Sequence, residues 1–77
     1  MARYVVQFWE NGKLKAVEDA NGNILEDDDL QEAISMAREV EMMSRSGSLR
    51  DGITTLRVFD RKEKRVARAV KLKGASK

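Results

Sequence analysis

Arg57, Arg61, Lys62, Lys64, Arg65 and Arg68 crowd one short stretch of this sequence, and they are the residues best placed to do chemistry. Arg and Lys on a two-stranded ribbon bind phosphates, and such a ribbon can enter a major groove. The stretch is therefore a candidate anion or nucleic-acid contact. Arg57 and Arg68 are expected to face one another across the ribbon, which destabilises a sheet unless an anion answers the pair. Two features weigh against nucleic acid. Only Phe59 is interleaved with the cations, so bases have little to stack on, and the whole chain carries a net charge of only +2. The same cations would serve as a solvated charged ribbon, or as a contact for an acidic protein surface.

Catalysis has fewer supports. The chain has no His and no Cys, which removes the usual proton-transfer group and the best thiol nucleophile. It also removes imidazole and thiolate metal ligands and any disulfide. Asp19, Asn21 and Asn23 sit where a calcium loop places its first, third and fifth ligands, but Ile24 stands where that loop needs glycine and Leu30 where it needs a bidentate glutamate. Glu26, Asp27, Asp28 and Asp29 could hold a divalent cation, yet they also suit the positive end of a following helix. The expectation is a non-catalytic protein with no cofactor and no metal.

The elements that must position these groups are legible from pattern and turn chemistry. Residues 3–10 are rich in strand formers and end at Asn11-Gly12, the dipeptide that best tolerates a type I′ turn. A two-residue loop there pairs Glu10 with Lys13, Trp9 with Leu14, Phe8 with Lys15 and Val6 with Val17. Asn21-Gly22 repeats the signal, folding residues 23–26 back on residues 18–20 as the third strand of a meander. A capping box, Asp29 with Glu32 or Asp28 with Gln31, opens a helix. Leu30, Ala33, Ile34, Ala37 and Val40 form its core-facing stripe, flanked by Met36 and Met43. Gln31, Glu32, Ser35, Arg38 and Glu39 lie on its wet side, Arg45 suits its last turn, and Gly47 can end it. Residues 44–52 read as a mobile connector. Two strands follow at residues 53–60 and 65–72. With Asp60 opposite Arg65, Phe59 would meet Val66, Val58 meet Ala67, Arg57 meet Arg68 and Thr55 meet Val70. The fold class is α+β: an antiparallel sheet of four or five strands from two hairpins flanking one amphipathic helix. Residues 1–73 form the single domain, and 74–77 a disordered tail.

A sheet covered by one helix should alternate apolar and polar residues, since only one face is dry. These strands do not. One face of the first hairpin collects Tyr4, Val6, Phe8 and Val17, and the other Val5, Trp9, Leu14 and Ala16. In the second, Leu56, Val58, Ala67 and Ala69 share one face, and Ile53, Phe59, Val66, Val70 and Leu72 the other. Either one face stays partly wet, which is common, or the surplus marks a contact, as large exposed patches do. The second option predicts sheet-to-sheet or edge-to-edge self-association, or a protein client, with Trp9, Met42, Phe59 and Val66 as interface candidates. Met42 enters because an adaptable thioether in the middle of a polar helix face suits a binding surface.

Size and charge point the same way. A chain of 77 residues buries only about 60% of its unfolded surface, so association is a natural source of further stability. Residues 1–50 carry six basic and ten acidic side chains, net −4, whereas residues 51–77 carry nine basic and three acidic ones, net +6. A chain so polarised can pair with itself or offer its basic half to an anionic partner. No window approaches the roughly 18 apolar residues that span a bilayer, and the amino-terminal residues are too polar for a secretory core. A soluble, cytoplasmic protein without membrane contact is expected.

Glu32-Ala33-Ile34 and Ala37-Arg38-Glu39 in the helix, with Leu56-Arg57-Val58-Phe59-Asp60-Arg61-Lys62 in the strand and turn that follow, resemble a group of short prokaryotic hairpin–helix–hairpin domains of unknown function. The resemblance covers residues 30–66, and this chain has a longer connector after the helix. It implies the fold and no activity. The size also fits phage and plasmid accessory proteins that inhibit host machinery by binding it. The leading expectation is a non-catalytic, homodimeric protein-interaction module, and the alternative is a nucleic-acid binder using the basic carboxy-terminal hairpin.

Overall fold

The computed structural model describes residues 2–45 and 53–71. Strands β1 (Tyr4–Glu10), β2 (Lys13–Ala16) and β3 (Glu26–Asp27) precede helix α1 (Leu30–Arg45), and β4 (Ile53–Asp60) and β5 (Arg65–Lys71) follow it. All five strands form one antiparallel sheet in the order β2-β1-β4-β5, with β3 also on β1. This is the expected α+β architecture, and both hairpins share one sheet.

The first hairpin follows its turn chemistry. Asn11 and Gly12 take positive φ, 53° and 83°, as a type I′ turn requires. Glu10 pairs with Lys13, Trp9 with Leu14 and Phe8 with Lys15, and the Val17 N–H donates to the Val6 carbonyl at 2.9 Å. The chain folds back after Asn21-Gly22 as the meander requires, with the Asp19 N–H donating to the Asn23 carbonyl at 2.8 Å and the Leu25 N–H to the Val17 carbonyl at 2.9 Å. The turn and register differ from those expected. Asp19 accepts from the Gly22 N–H through its carbonyl and from the Asn21 and Asn23 N–H groups through its carboxylate. Only Gly22 in that turn has positive φ, so the turn spans residues 19–22 and Glu18 bridges Ile24. The Leu25 carbonyl then accepts from the Val6 N–H, and β3 continues beside β1. An Asp side chain that satisfies two backbone donors outcompetes the two-residue turn.

Asp29 caps α1, its carboxylate accepting from the Glu32 N–H at 3.3 Å. Ala33, Ala37 and Val40 are buried against Tyr4, Val6 and Phe8 of β1 and Leu56, Val58 and Ile53 of β4, with Leu30, Ile34 and Met36 packed around them. Val58 and Leu56 have essentially no exposure; burying each contributes about 1.5–3 kcal/mol. The helix continues through Ser44 and Arg45, two residues into the expected connector. The rest of that connector, with Gly47, lies outside the described residues, as do Leu72 and the tail at 74–77.

Two bulges correct the expected faces. One falls in β4 at Thr54, where Trp9 pairs with Thr55 but Glu10 with Ile53. The other falls in β5 at Ala67, so that Phe59 meets Val66 but Val58 meets Arg68, Arg57 meets Ala69, Leu56 meets Val70 and Thr55 meets Lys71. Arg57 and Arg68 therefore do not oppose one another. An extra residue inverts every side chain beyond it. Ile53 thereby joins the core under the helix, and Val70 comes beside Leu56 and Ala37. Both apolar side chains leave the open face for the dry one, which is the physical reward for breaking the ladder.

Candidate protein interface on the open face of the sheet

Strand register turns the face away from α1 into a grid of three rows. Across β3, β1, β4 and β5, the first row reads Glu26, Val5, Phe59, Val66. With β2 in the first column, the second reads Ala16, Gln7, Arg57, Ala69, and the third reads Leu14, Trp9, Thr55, Lys71. Two apolar strips thus flank a polar middle. No helix covers this face among the described residues. Val5 is nonetheless only 2% exposed, whereas Leu14 at 37% and Val66 at 39% are open to solvent. Trp9 and Phe59 are half-buried.

The middle row is held by one pairing that sequence reasoning missed. Arg57 Nε donates to Gln7 Oε1 at 2.8 Å, and its guanidinium carbon lies 5.2 Å from the centre of the Phe59 ring, within cation–π reach. A polar residue in the middle of an apolar strand was the available signal for Gln7. Its partner lies 50 residues away, beyond any local pattern.

The six candidate cations do not form one patch. Arg57 is on the open face. Arg61 is committed to Glu26 and to the Ala2 carbonyl at the end of that face. Lys62 and Lys64 are exposed at the turn, where Lys64 takes φ 57°. Arg65, opposite Asp60, and Arg68, opposite Val58, fall on the helix side of the exposed edge strand β5. Cations and a bulge on an edge discourage strand addition. The four interface candidates also divide. Trp9, Phe59 and Val66 share the open face, while Met42, 67% exposed, lies on the helix.

Compared with known proteins, the chain matches no family model, no curated protein and no solved structure.

The acidic candidates all have structural work. Asp27 accepts from the Asp29 N–H and Asp28 from the Arg3 N–H, Asp29 caps the helix, and Glu26 receives Arg61. The hydrogen bond from Arg61 holds the Glu26 carboxyl below its usual value, burial opposing it. Among the described residues no group of three or more acids is arranged to hold a metal ion, and no helix is long and apolar enough to cross a membrane.

On the other side of the sheet an open cleft of about 670 Å³ separates β2 from the second half of α1, floored by Phe8, Val17, Val40 and Ile53. Its size suits a small ligand. Of its charged lining residues, Lys15 is held 3.3 Å from Glu10 and the Asp19 carboxylate accepts from the Asn21 and Asn23 N–H groups, which leaves Glu18 at the rim.

Proposed function

We propose that this protein is a non-catalytic protein-interaction module whose working surface is the open face of its sheet. The observation that carries the reading is the grid itself: Trp9, Leu14, Phe59 and Val66 around Arg57, on a face no second layer covers among the described residues. Trp and Arg dominate the binding energy of protein interfaces because they combine large contact area with hydrogen bonding. A cytoplasmic regulator or an accessory inhibitor that acts by binding is a natural form for such a module.

Size bears on the partner. Four strands at about 4.8 Å, read over five residues of β1 at about 3.4 Å each, make a patch roughly 19 Å by 17 Å. Even with side-chain relief that falls short of the about 800 Å² that each partner contributes to a stable interface. A homodimer through this face alone would be weak, and a guarded β5 edge adds little to it. A compact client segment suits the face better.

The test is affinity capture from the native host with three baits: wild type, Phe59→Ser and Met42→Ser. We expect proteins that wild type and Met42→Ser both recover and Phe59→Ser loses. Recovery indifferent to Phe59, or recovery of nucleic acid that nuclease abolishes, would sink the reading. A tight dimer by light scattering at tens of micromolar, insensitive to Phe59→Ser, would do the same.

A further inference from the structure

We infer that Arg57 is the specificity-determining residue of the open face, and that the face takes a partner segment presenting an Asp or Glu carboxylate between apolar side chains. The inference rests on the proposed function and adds the chemistry of the partner.

The geometry around Arg57 is that of a fork held in place and left unused. Gln7 occupies Nε at 2.8 Å, and the Phe59 ring supports the guanidinium plane at 5.2 Å. Among the described residues Arg57 makes no other hydrogen bond and no ion pair, so both terminal nitrogens keep donors for a ligand. Two parallel N–H donors match a carboxylate, and a pre-oriented guanidinium loses less freedom on binding than a lone lysine. The middle of an apolar surface is where such a bond is strongest, because the surrounding side chains exclude water once a partner is seated.

Charge on the face selects the sign. Among the described residues its cations are Arg57 and, at one corner, Lys71, and its acid, Glu26, already receives Arg61. No carboxylate of this face is left for Arg57 among the described residues, so an incoming one meets an unneutralised guanidinium. A second copy docked with its face turned about the middle row would set Arg57 against Arg57, a repulsion a foreign acidic segment avoids. Nucleic acid suits the site less well, because phosphates recur along a strand and call for a row of cations. Here Arg61 is committed, and Arg65 and Arg68 lie on the helix side. The apolar strips through Phe59 and Val66 on one side, and Trp9 and Leu14 on the other, would contact the residues that flank the carboxylate.

Random peptides displayed on phage and panned on the immobilised full chain supply the probe. Trp9, the only tryptophan, reports binding of the selected peptides by its emission. We expect a fixed Asp or Glu flanked by aliphatic or aromatic residues, a blue shift of Trp9, and a loss of about tenfold or more with Arg57→Gln. Arg57→Lys should recover little of it, since a point charge lacks the fork. Gln7→Leu, which frees Nε, should weaken binding by a smaller factor. Thermal melts of each variant confirm that it folds. Peptides that shift Trp9 but carry no fixed acid would overturn the carboxylate inference and leave the interaction face standing. Peptides that never perturb Trp9 would overturn both. An oligonucleotide at low salt that binds in an Arg57-dependent way would overturn the choice of partner.

Discussion

Arg3 grips Asp60 with two parallel hydrogen bonds, Nε to Oδ1 at 3.0 Å and Nη2 to Oδ2 at 2.9 Å. The pair ties the start of β1 to the end of β4, and Asp60 Oδ1 also accepts from the Lys62 and Glu63 N–H groups that form the next turn. One buried carboxylate thus closes the sheet end and shapes the hairpin that carries the basic residues.

The first prediction concerns acid. The hydrogen bond from Arg3, opposed by burial and aided by the two backbone donors, lowers the Asp60 carboxyl to about 2 from its ordinary 3.8. A carboxyl depressed in the folded state adds stability above its unfolded value, and that contribution is lost as protons bind the folded form. The melting temperature should therefore hold down to about pH 4 and fall between pH 4 and about 2. Asp60→Asn should melt lower at neutral pH and show a shallower acid drop, with Glu26 supplying part of what remains. Parallel pH profiles for the two proteins would refute this account.

A second prediction isolates the first turn. Gly12 has φ +83°, and a methyl group added there would meet nothing within 4 Å. Gly12→Ala therefore carries only the left-handed backbone penalty, about 1–2 kcal/mol, visible as a lower urea midpoint with an unchanged slope. Asn11→Gly should be nearly neutral, because Asn11 at φ 53° already occupies a conformation that glycine accepts freely. Equal losses from both changes would show that the turn is held by side-chain contacts instead.

The third prediction tests the β5 bulge. Ala67 has no partner in the ladder, so deleting it leaves Arg68 beside Val58 and Val70 beside Leu56. Stability should change by about 1 kcal/mol or less, and nuclear Overhauser contacts between Val70 and Leu56 should persist. Loss of those contacts, or unfolding, would mean the ladder is regular and the deletion has turned Val70 to the open face.

Much of this architecture is written locally. Runs rich in β-branched and aromatic residues mark β1 and β4, an apolar stripe at helical spacing marks α1, and Asn11-Gly12 leaves a single pairing for the first hairpin. The last case is instructive, because a two-residue turn fixes register without help from the rest of the chain. The Asn21-Gly22 turn shows the limit: the same dipeptide lost to an Asp19 side chain two positions upstream.

The candidate interface was legible only as an excess. Pattern sorts Val5, Trp9, Leu14 and Ala16 onto one face of the first hairpin and Phe59 and Val66 onto one face of the second. It does not say which face the helix covers, and it puts Ile53 and Val70 beside Phe59 although both turn to the helix side. A bulge has no local signature in either strand. The two bulges turn Ile53 into the core and Val70, half-buried, to the helix side, a gain that exists only once the helix is in place.

By itself, then, the sequence determined which segments become strand, helix and turn, since those preferences act over a few residues. Tertiary structure alone decided that β3 returns to β1, that Gln7 meets Arg57 across 50 residues, and that Arg57 and Arg68 part to opposite faces. Each of those outcomes depends on which side chains lose water together, and that is settled only when distant segments pack.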